Sequence, residues 1–229
     1  MILKKRKYQL IIFDWDGTLM DSTAQIVNCM QLAISEMEAE PRTDNNILNI
    51  IGLGLEEAII SLYPNANNAF IRKTAEVYRD FYLFKDKTPS PLFSGVIEML
   101  DELREQNYDL AIATGKSRKG LDKGLTETNL HNYFPISRCA DETRSKPDPQ
   151  MLNEILTDYN TDKATALMIG DSVYDLQMAN NAKMDSIAVS YGVHSLERLL
   201  KQNPIAHVNN ARNISTQIRT LNEQHSFAR

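Results

Sequence analysis

Leu10-Ile11-Ile12-Phe13-Asp14-Trp15-Asp16-Gly17-Thr18 is the stretch that decides how this chain reads. An apolar run of strand length stops on two carboxylates two residues apart, followed by a glycine and a threonine. In open α/β sheets, sites form beyond the carboxyl ends of the strands, so Asp14 and Asp16 fall where chemistry is done. A polar turn closing a strand would account for either aspartate alone. The whole Asp-x-Asp-Gly-Thr string arises by chance in on the order of a few chains per thousand of this length, from average residue usage.

Outward from this run, residues 9–13, 110–113, 136–139, 166–169 and 187–189 read as short buried strands, with a weaker sixth at 205–208. Helical spacing fills 95–106, 149–158, 173–181 and 195–201 between them. Strands alternating with helices predict a parallel sheet with helices on both faces. One region breaks the rhythm. Residues 25–38 place Ile26, Val27, Met30, Ala33, Ile34 and Met37 on one helical face, and 55–63 and 69–84 follow the same pattern. Pro41, the Gly52-Leu53-Gly54 loop and a turn at 64–68 separate these helices. The expected organisation is therefore a Rossmann-like α/β core from 1–20 and 88–229, with an all-helical cap, 21–87, inserted after the first strand. The polar tail from about Asn222 is expected to fray.

Composition sets outer bounds. The 229 residues are 42% hydrophobic and 24% charged, which suits a soluble globular protein. A formal charge of −5 argues against nucleic acid as a partner. The basic run Lys4-Lys5-Arg6-Lys7 reads as a solvated end. The apolar run behind it is shorter than the roughly 7–15 residues of a secretory h-region. No stretch approaches the roughly 20 apolar residues of a membrane span. Cys29 and Cys139 form no Cys-x-x-Cys pair, so a reducing cytoplasm is the simplest setting.

Three further polar groups follow other apolar runs: Thr114-Gly115, Lys146-Pro147-Asp148-Pro149, and Gly170-Asp171-Ser172 with Asp175. Singly, each passes as a turn, a solvated lysine or a helix cap. Together they bring a hydroxyl, an ammonium and carboxylates to the ends of neighbouring strands. Crowded carboxylates need cations to stay ionised. Mg²⁺ takes oxygen ligands and few protein carboxylates, leaving positions for water and phosphate. Phosphate held between Mg²⁺, Lys146, the Thr114 hydroxyl and backbone N–H groups reads as a site for phosphoryl transfer.

The four motifs, in this order, resemble the haloacid dehalogenase superfamily in its phosphatase branch, over residues 10–189. The insert resembles the helical cap of that superfamily. Pro91-Leu92-Phe93-Ser94-Gly95-Val96 and Gly52-x-Gly54 are similar to the phosphoglycolate phosphatase-like group. The resemblance implies a Mg²⁺-dependent phosphatase acting on a small phosphorylated metabolite, 2-phosphoglycolate among the candidates. It implies that Asp14 attacks phosphorus and becomes an aspartyl phosphate, while Asp16 protonates the leaving oxygen and then activates water. Thr114 and the Gly115 N–H would hold phosphate oxygens, and Lys146 would stabilise Asp14 and the transferring group. Asp171 would bind the metal with Asp14 and the backbone carbonyl of Asp16. Asp175 would bind it through water or orient Lys146. Asp14 must be ionised to attack, so Mg²⁺ and Lys146 are expected to hold its pKa down. Asp16 must carry a proton first, so it is expected to stand away from the strongest positive charge.

Other readings weigh less. A dehalogenase would lack Asp16. A β-phosphoglucomutase-like enzyme tends to have valine where Thr18 stands and an Arg-containing cap motif that 52–57 does not match. A phosphonatase needs a cap lysine in an apolar pocket. An inactive binding module would lose Asp14, Asp16 or Lys146 first. Gly115-Lys116-Ser117 resembles the end of a P-loop, but Leu110 stands where glycine is needed. His131, His194, His207 and His225 lack metal-ligand spacing, and Ser172 reads as a cap. Lys116, Arg118, Lys119 and Lys123 read as a solvated helix face. Substrate contacts are expected from 52–55 and from Arg72 or Arg79. The oligomeric state is unreadable.

Overall fold

The computed structural model describes residues 7–227. Six strands form one parallel sheet: β1 Leu10–Phe13, β2 Asp109–Thr114, β3 Ile136–Cys139, β4 Ala166–Gly170, β5 Asp185–Val189 and β6 Ala206–Val208. Their order is β3-β2-β1-β4-β5-β6. Each strand matches a stretch read as a strand in the sequence, to within two residues at either end, although β3, Ile-Ser-Arg-Cys, is only partly buried. β1 is buried at all four positions because helices cover both faces of the sheet.

The pleat divides β1 between two cores. Ile11 and Phe13 face one layer with α5 (Val96–Glu105), α6 (Arg118–Thr128) and α10 (Asn213–Phe227), through Leu100, Leu121 and Ile214. Leu10 and Ile12 face the other, with α7 (Gln150–Asp158) and α8 (Val173–Ala182), through Leu152, Ile155 and Met178. A short helix, α9 (Leu196–Leu200), packs beside β5. The chain runs from β1 to one side, then crosses back to β4 on the other. The switch point of the sheet therefore lies between the ends of β1 and β4.

Between β1 and α5 the chain is helical: α1 Thr23–Glu36, α2 Asp44–Leu48, α3 Leu55–Leu62 and α4 Asn68–Asp80, which continues into a π-helical turn at Phe81–Lys85. These helices share a separate core around Met30, Ile34, Ile47, Ile59 and Ile71. The segment leaves and returns through one paired stalk. Asp21 N–H donates to Pro91 O at 2.8 Å, and Phe93 N–H donates to Leu19 O at 3.0 Å. Among the described residues no helix is long and apolar enough to cross a membrane.

Two expectations need correction. The tail does not fray at Asn222: α10 runs through it, and Asn222 is buried. Its Oδ1 accepts from Tyr8 N–H at 2.8 Å and its Nδ2 donates to the Tyr108 hydroxyl at 2.8 Å. Polar residues in the last helix thus tie it to the start of β1, which a search for apolar periodicity passes over. Lys4, Lys5 and Arg6 lie outside the described residues, while Lys7 is not a free charge but pairs with Asp185 at 2.8 Å. Replacing Asn222 with alanine leaves the Tyr8 N–H buried without this acceptor. A loss of about 1–3 kcal/mol is expected, read as a lower urea midpoint, and an unchanged midpoint would contradict the anchor.

Candidate active site

Asp14 is the first residue past β1, and its N–H still donates to Ile169 O of β4 at 2.9 Å. Lys146 reaches it from the loop after β3. The ammonium lies 2.7 Å from Asp14 Oδ1 and 2.6 Å from Asp175 Oδ1, and all three side chains are buried. Asp175 is held by the start of α8, where its Oδ2 accepts from the Ser172 N–H at 3.0 Å and the Ser172 hydroxyl at 2.7 Å. Ser172 is the N-cap of that helix in a reciprocal capping box, as a cap reading predicts.

Asp171, at the end of β4, is fixed from two sides. The Thr18 hydroxyl donates to its Oδ1 at 2.9 Å and the Val193 N–H donates to its Oδ2 at 2.7 Å. Gly17 lets the first loop pass over it: φ is +81°, and a Cβ there would lie 2.1 Å from Asp171 Oδ2. Thr18 and Val193 thus orient Asp171. The sequence displays Thr18 within the motif, but Val193 contributes only backbone and leaves no residue-type signal.

Asp14, Asp171 and Asp175 each place a carboxylate oxygen within 4.8 Å of the others. Asp14 Oδ2 is buried with no hydrogen-bond partner among the described residues. Three carboxylates against one ammonium leave excess negative charge, and the donors are all hard oxygens. That set fits a small divalent cation such as Mg²⁺. The Asp16 carboxylate is not in this cluster.

Electrostatics agree. Burial, and then Asp175, push Asp14 well above the usual carboxylate range, and Lys146 offsets only part of this. Without a metal ion, desolvation thus outweighs one lysine; the expectation that Asp14 is held down counts Mg²⁺ beside Lys146 and concerns the loaded site. Asp171 is pushed up to about 7 by burial and Asp175, against the hydrogen bonds from Val193 and Thr18. Burial alone would lower Lys146, but Asp14 and Asp175 outweigh it and the net direction is upward.

Thr114 ends β2, fully buried, and its Oγ1 accepts from the Lys116 N–H at 3.2 Å. Gly115 lies where the helical segment touches the sheet. A Cβ there would come within 2.5 Å of Leu53 O and 2.6 Å of Gly52 O, so any larger residue forces the two apart. Gly54 N–H donates to the Ser145 hydroxyl at 2.7 Å, a second contact across this seam.

Asp16 differs from expectation. It makes no ion pair with Lys146, but a second ammonium, Lys116, lies 2.9 Å from its Oδ2. The Ser22 hydroxyl donates to its Oδ1 at 2.6 Å. Lys116 is thus not part of a solvated face. It is nearly buried and also donates to the Tyr82 hydroxyl at 2.8 Å. Burial would lower its pKa, and Asp16 and Tyr82 more than reverse this. In sequence it sits beside exposed Lys119, and nothing local distinguishes the two.

A cavity of about 80 Å³ runs from Asp14, Asp16 and Thr114 to a wall that includes Ile26, Met30, Leu53, Tyr78, Arg79 and Leu83. Of the two arginines singled out, Arg79 lines it, while Arg72 is exposed and does not. His194 is buried and structural, with Nδ1 accepting from the Val173 N–H at 2.9 Å.

A profile described as haloacid dehalogenase-like hydrolase matches residues 11–189. The chain belongs to that family. It is 33% identical over 201 residues to a protein named "Probable phosphatase IndB" from Dickeya dadantii, covering 85% of this chain and 86% of that one. It is 28% identical over 205 residues to a phosphoglycolate phosphatase from Psychrobacter arcticus, covering 86% and 89%. The structure of a hydrolase from Pseudomonas syringae superposes with a TM-score of 0.86 at 20% identity, covering 95% of this chain and 99% of the other, a likeness of fold.

The raised Asp171 carboxyl makes stability depend on pH. The folded protein keeps this proton up to about pH 7, while the unfolded chain releases it near pH 4. Between those values the folded state holds more protons, so this contribution to stability is lost as pH rises from about 4 to about 7 and is level above that. His194, lowered to about 4 by burial, acts oppositely only below its unfolded value of about 6.5. In EDTA the Tm of the parent is expected to fall, relative to that of Asp171→Asn, as pH rises from about 4 to 7, with no further divergence above that. Parallel pH profiles in the two proteins would assign the proton elsewhere.

Proposed function

We propose that this enzyme is a Mg²⁺-dependent phosphomonoesterase that hydrolyses the phosphate ester of a small metabolite through an aspartyl phosphate on Asp14, with residues 21–87 closing over the site as a cap. Family membership and the relatives named as phosphatases make it a phosphatase of the hydrolase class. The observation that carries the covalent route is the state of Asp14. One carboxylate oxygen is fixed by Lys146, and the other is unpartnered in a residue that lines the cavity.

In this reading Asp14 bonds to phosphorus as the ester P–O bond breaks, and Asp16 gives its proton to the departing oxygen. Asp16 then takes a proton from water, the water oxygen bonds to phosphorus, and the Asp14–phosphorus bond breaks. Thr114 and the Gly115 N–H hold the phosphate oxygens, and Lys146 keeps Asp14 aimed. Asp14, Asp171 and the Asp16 carbonyl hold Mg²⁺, with Asp175 orienting Lys146. When bound, the ion neutralises charge on the carboxylates and phosphate. A cytoplasmic setting goes with two buried thiols, Cys29 and Cys139, in no disulfide. The substrate is a small phosphorylated metabolite, with 2-phosphoglycolate a candidate whose carboxylate would meet Arg79.

Release of phosphate from p-nitrophenyl phosphate should vanish in EDTA and return with Mg²⁺. Turnover after rigorous metal removal would contradict the metal assignment. Asp14→Asn should abolish turnover of every ester. Asp16→Asn should still become phosphorylated by p-nitrophenyl phosphate and then stall, which intact-mass measurement after acid quench detects. An adduct on the Asp14→Asn protein would show that the roles are misassigned.

A further inference from the structure

The pair between Asp16 and Lys116 reaches beyond the sheet, because the lysine has a third partner on the inserted helices. We infer that Lys116 and Tyr82 are positioning residues for Asp16, and that through Tyr82 the aim of Asp16 depends on closure of the helical segment. This rests on the reading of Asp16 as the group that serves the leaving oxygen and then water.

Both Asp16 oxygens are engaged, Oδ1 by Ser22 at 2.6 Å and Oδ2 by Lys116 at 2.9 Å. The Lys116 ammonium also meets the Tyr82 hydroxyl at 2.8 Å and lies 4.3 Å from the centre of that ring. The stem of the lysine runs over Gly120, where a Cβ would approach Lys116 Cγ to 2.8 Å. The channel for this side chain is therefore built into α6, and a residue larger than glycine would displace it. Tyr82 comes from the π-helical turn Phe81–Lys85, and such turns recur at functional sites. Its ring stacks on Tyr78 at 5.9 Å, which limits its own movement.

A buried ion pair seldom adds net stability over apolar packing, so fold stability alone is a poor reason to put an ammonium here. Position explains it. With the helical segment closed, Tyr82 and Asp16 hold the ammonium from two sides, and the ammonium in turn fixes one Asp16 rotamer toward the cavity. When the segment opens, Tyr82 withdraws, water reaches the lysine, and Asp16 loses a fixed partner. Proton transfer is then efficient only over an enclosed substrate.

The test uses the whole enzyme with Mg²⁺ and two similar aryl esters, p-nitrophenyl phosphate and phenyl phosphate. The first leaves without a proton and the second depends on one. Tyr82→Phe and Lys116→Met should lower kcat for phenyl phosphate about fivefold to twentyfold with KM within about twofold. The p-nitrophenolate burst should keep its rate while breakdown of the phosphoenzyme slows. Lys116→Arg should recover part of the loss. Two results would overturn the inference: unchanged kcat for phenyl phosphate in both variants, or a rise in KM with equal loss of burst and breakdown, which marks Lys116 as a phosphate-binding group. If the parent turns over neither ester, the phosphatase reading fails and this inference with it.

Discussion

Everything at this site hangs on one buried ammonium. Lys146 sits between Asp14 and Asp175 with no access to water. Taking such an ion from water costs several kcal/mol, and only well-placed counter-charges offset it. The fold supplies them at the switch point, Asp14 just past β1 and Asp175 in the first turn of α8 after β4, so strand register and the helix cap together set the geometry of the charges. Removing Lys146 would leave Asp14 and Asp175 facing each other in a dry site. Deleting one partner of such a pair typically costs about 3–5 kcal/mol. The lysine is thus a structural tie as well as, on the proposed mechanism, a catalytic group, and a simple substitution removes both at once.

The same economy appears around the other carboxylates. Each has one oxygen anchored by an element that exists for another reason. The capping box of α8 holds Asp175, the glycine turn after β1 brings Thr18 to Asp171, and the stalk of the inserted segment brings Ser22 to Asp16. Orientation comes from caps and turns rather than from a dedicated set of polar residues. Apolar residues of the cavity, Ile26, Met30, Leu53 and Leu83 among them, stand beside these groups, and charge interactions are stronger in such surroundings than in bulk water.

The centre of the sheet was legible because β1, β2 and β4, buried on both faces, read as nearly unbroken apolar runs, while the edge strands β3 and β6 carry polar residues and show less clearly. The positions of Asp14, Thr114 and Asp171 were legible for a related reason: each stands at or just past the end of such a run, while Lys146 lies seven residues beyond β3 and was marked by the motif around it. What stayed hidden depends on long-range packing. Lys116 looks like its exposed neighbours until α6 and the π-helical turn close around it, and Tyr82 sits amid ordinary helical periodicity. Asn222 looks like tail polarity until its two bonds across more than a hundred residues are seen. Helix α2, five residues long, is set by the Thr43 cap and not by periodicity. The dryness around Asp14 was hidden too, because spacing reveals neighbouring charges but not how deeply they are buried.

The paired stalk at Leu19–Asp21 and Pro91–Phe93 has an evolutionary consequence. The chain leaves the sheet and comes back at nearly the same point, so the sheet is blind to what lies between. For a loop with fixed ends, changing the length of the excursion alters closure entropy only slowly. Helices can be lengthened, shortened or replaced there without disturbing strand register or the Lys146 cluster, provided the contacts of Tyr82 with Lys116 and of the 52–54 loop with Gly115 and Ser145 are kept. Those same inserted helices carry Tyr78, Arg79 and Tyr82 to the cavity wall. On the proposed reading, the surface that would meet substrate is thus carried on a segment free to vary in length, while its tie to Asp16 through Tyr82 and Lys116 limits how far it can drift.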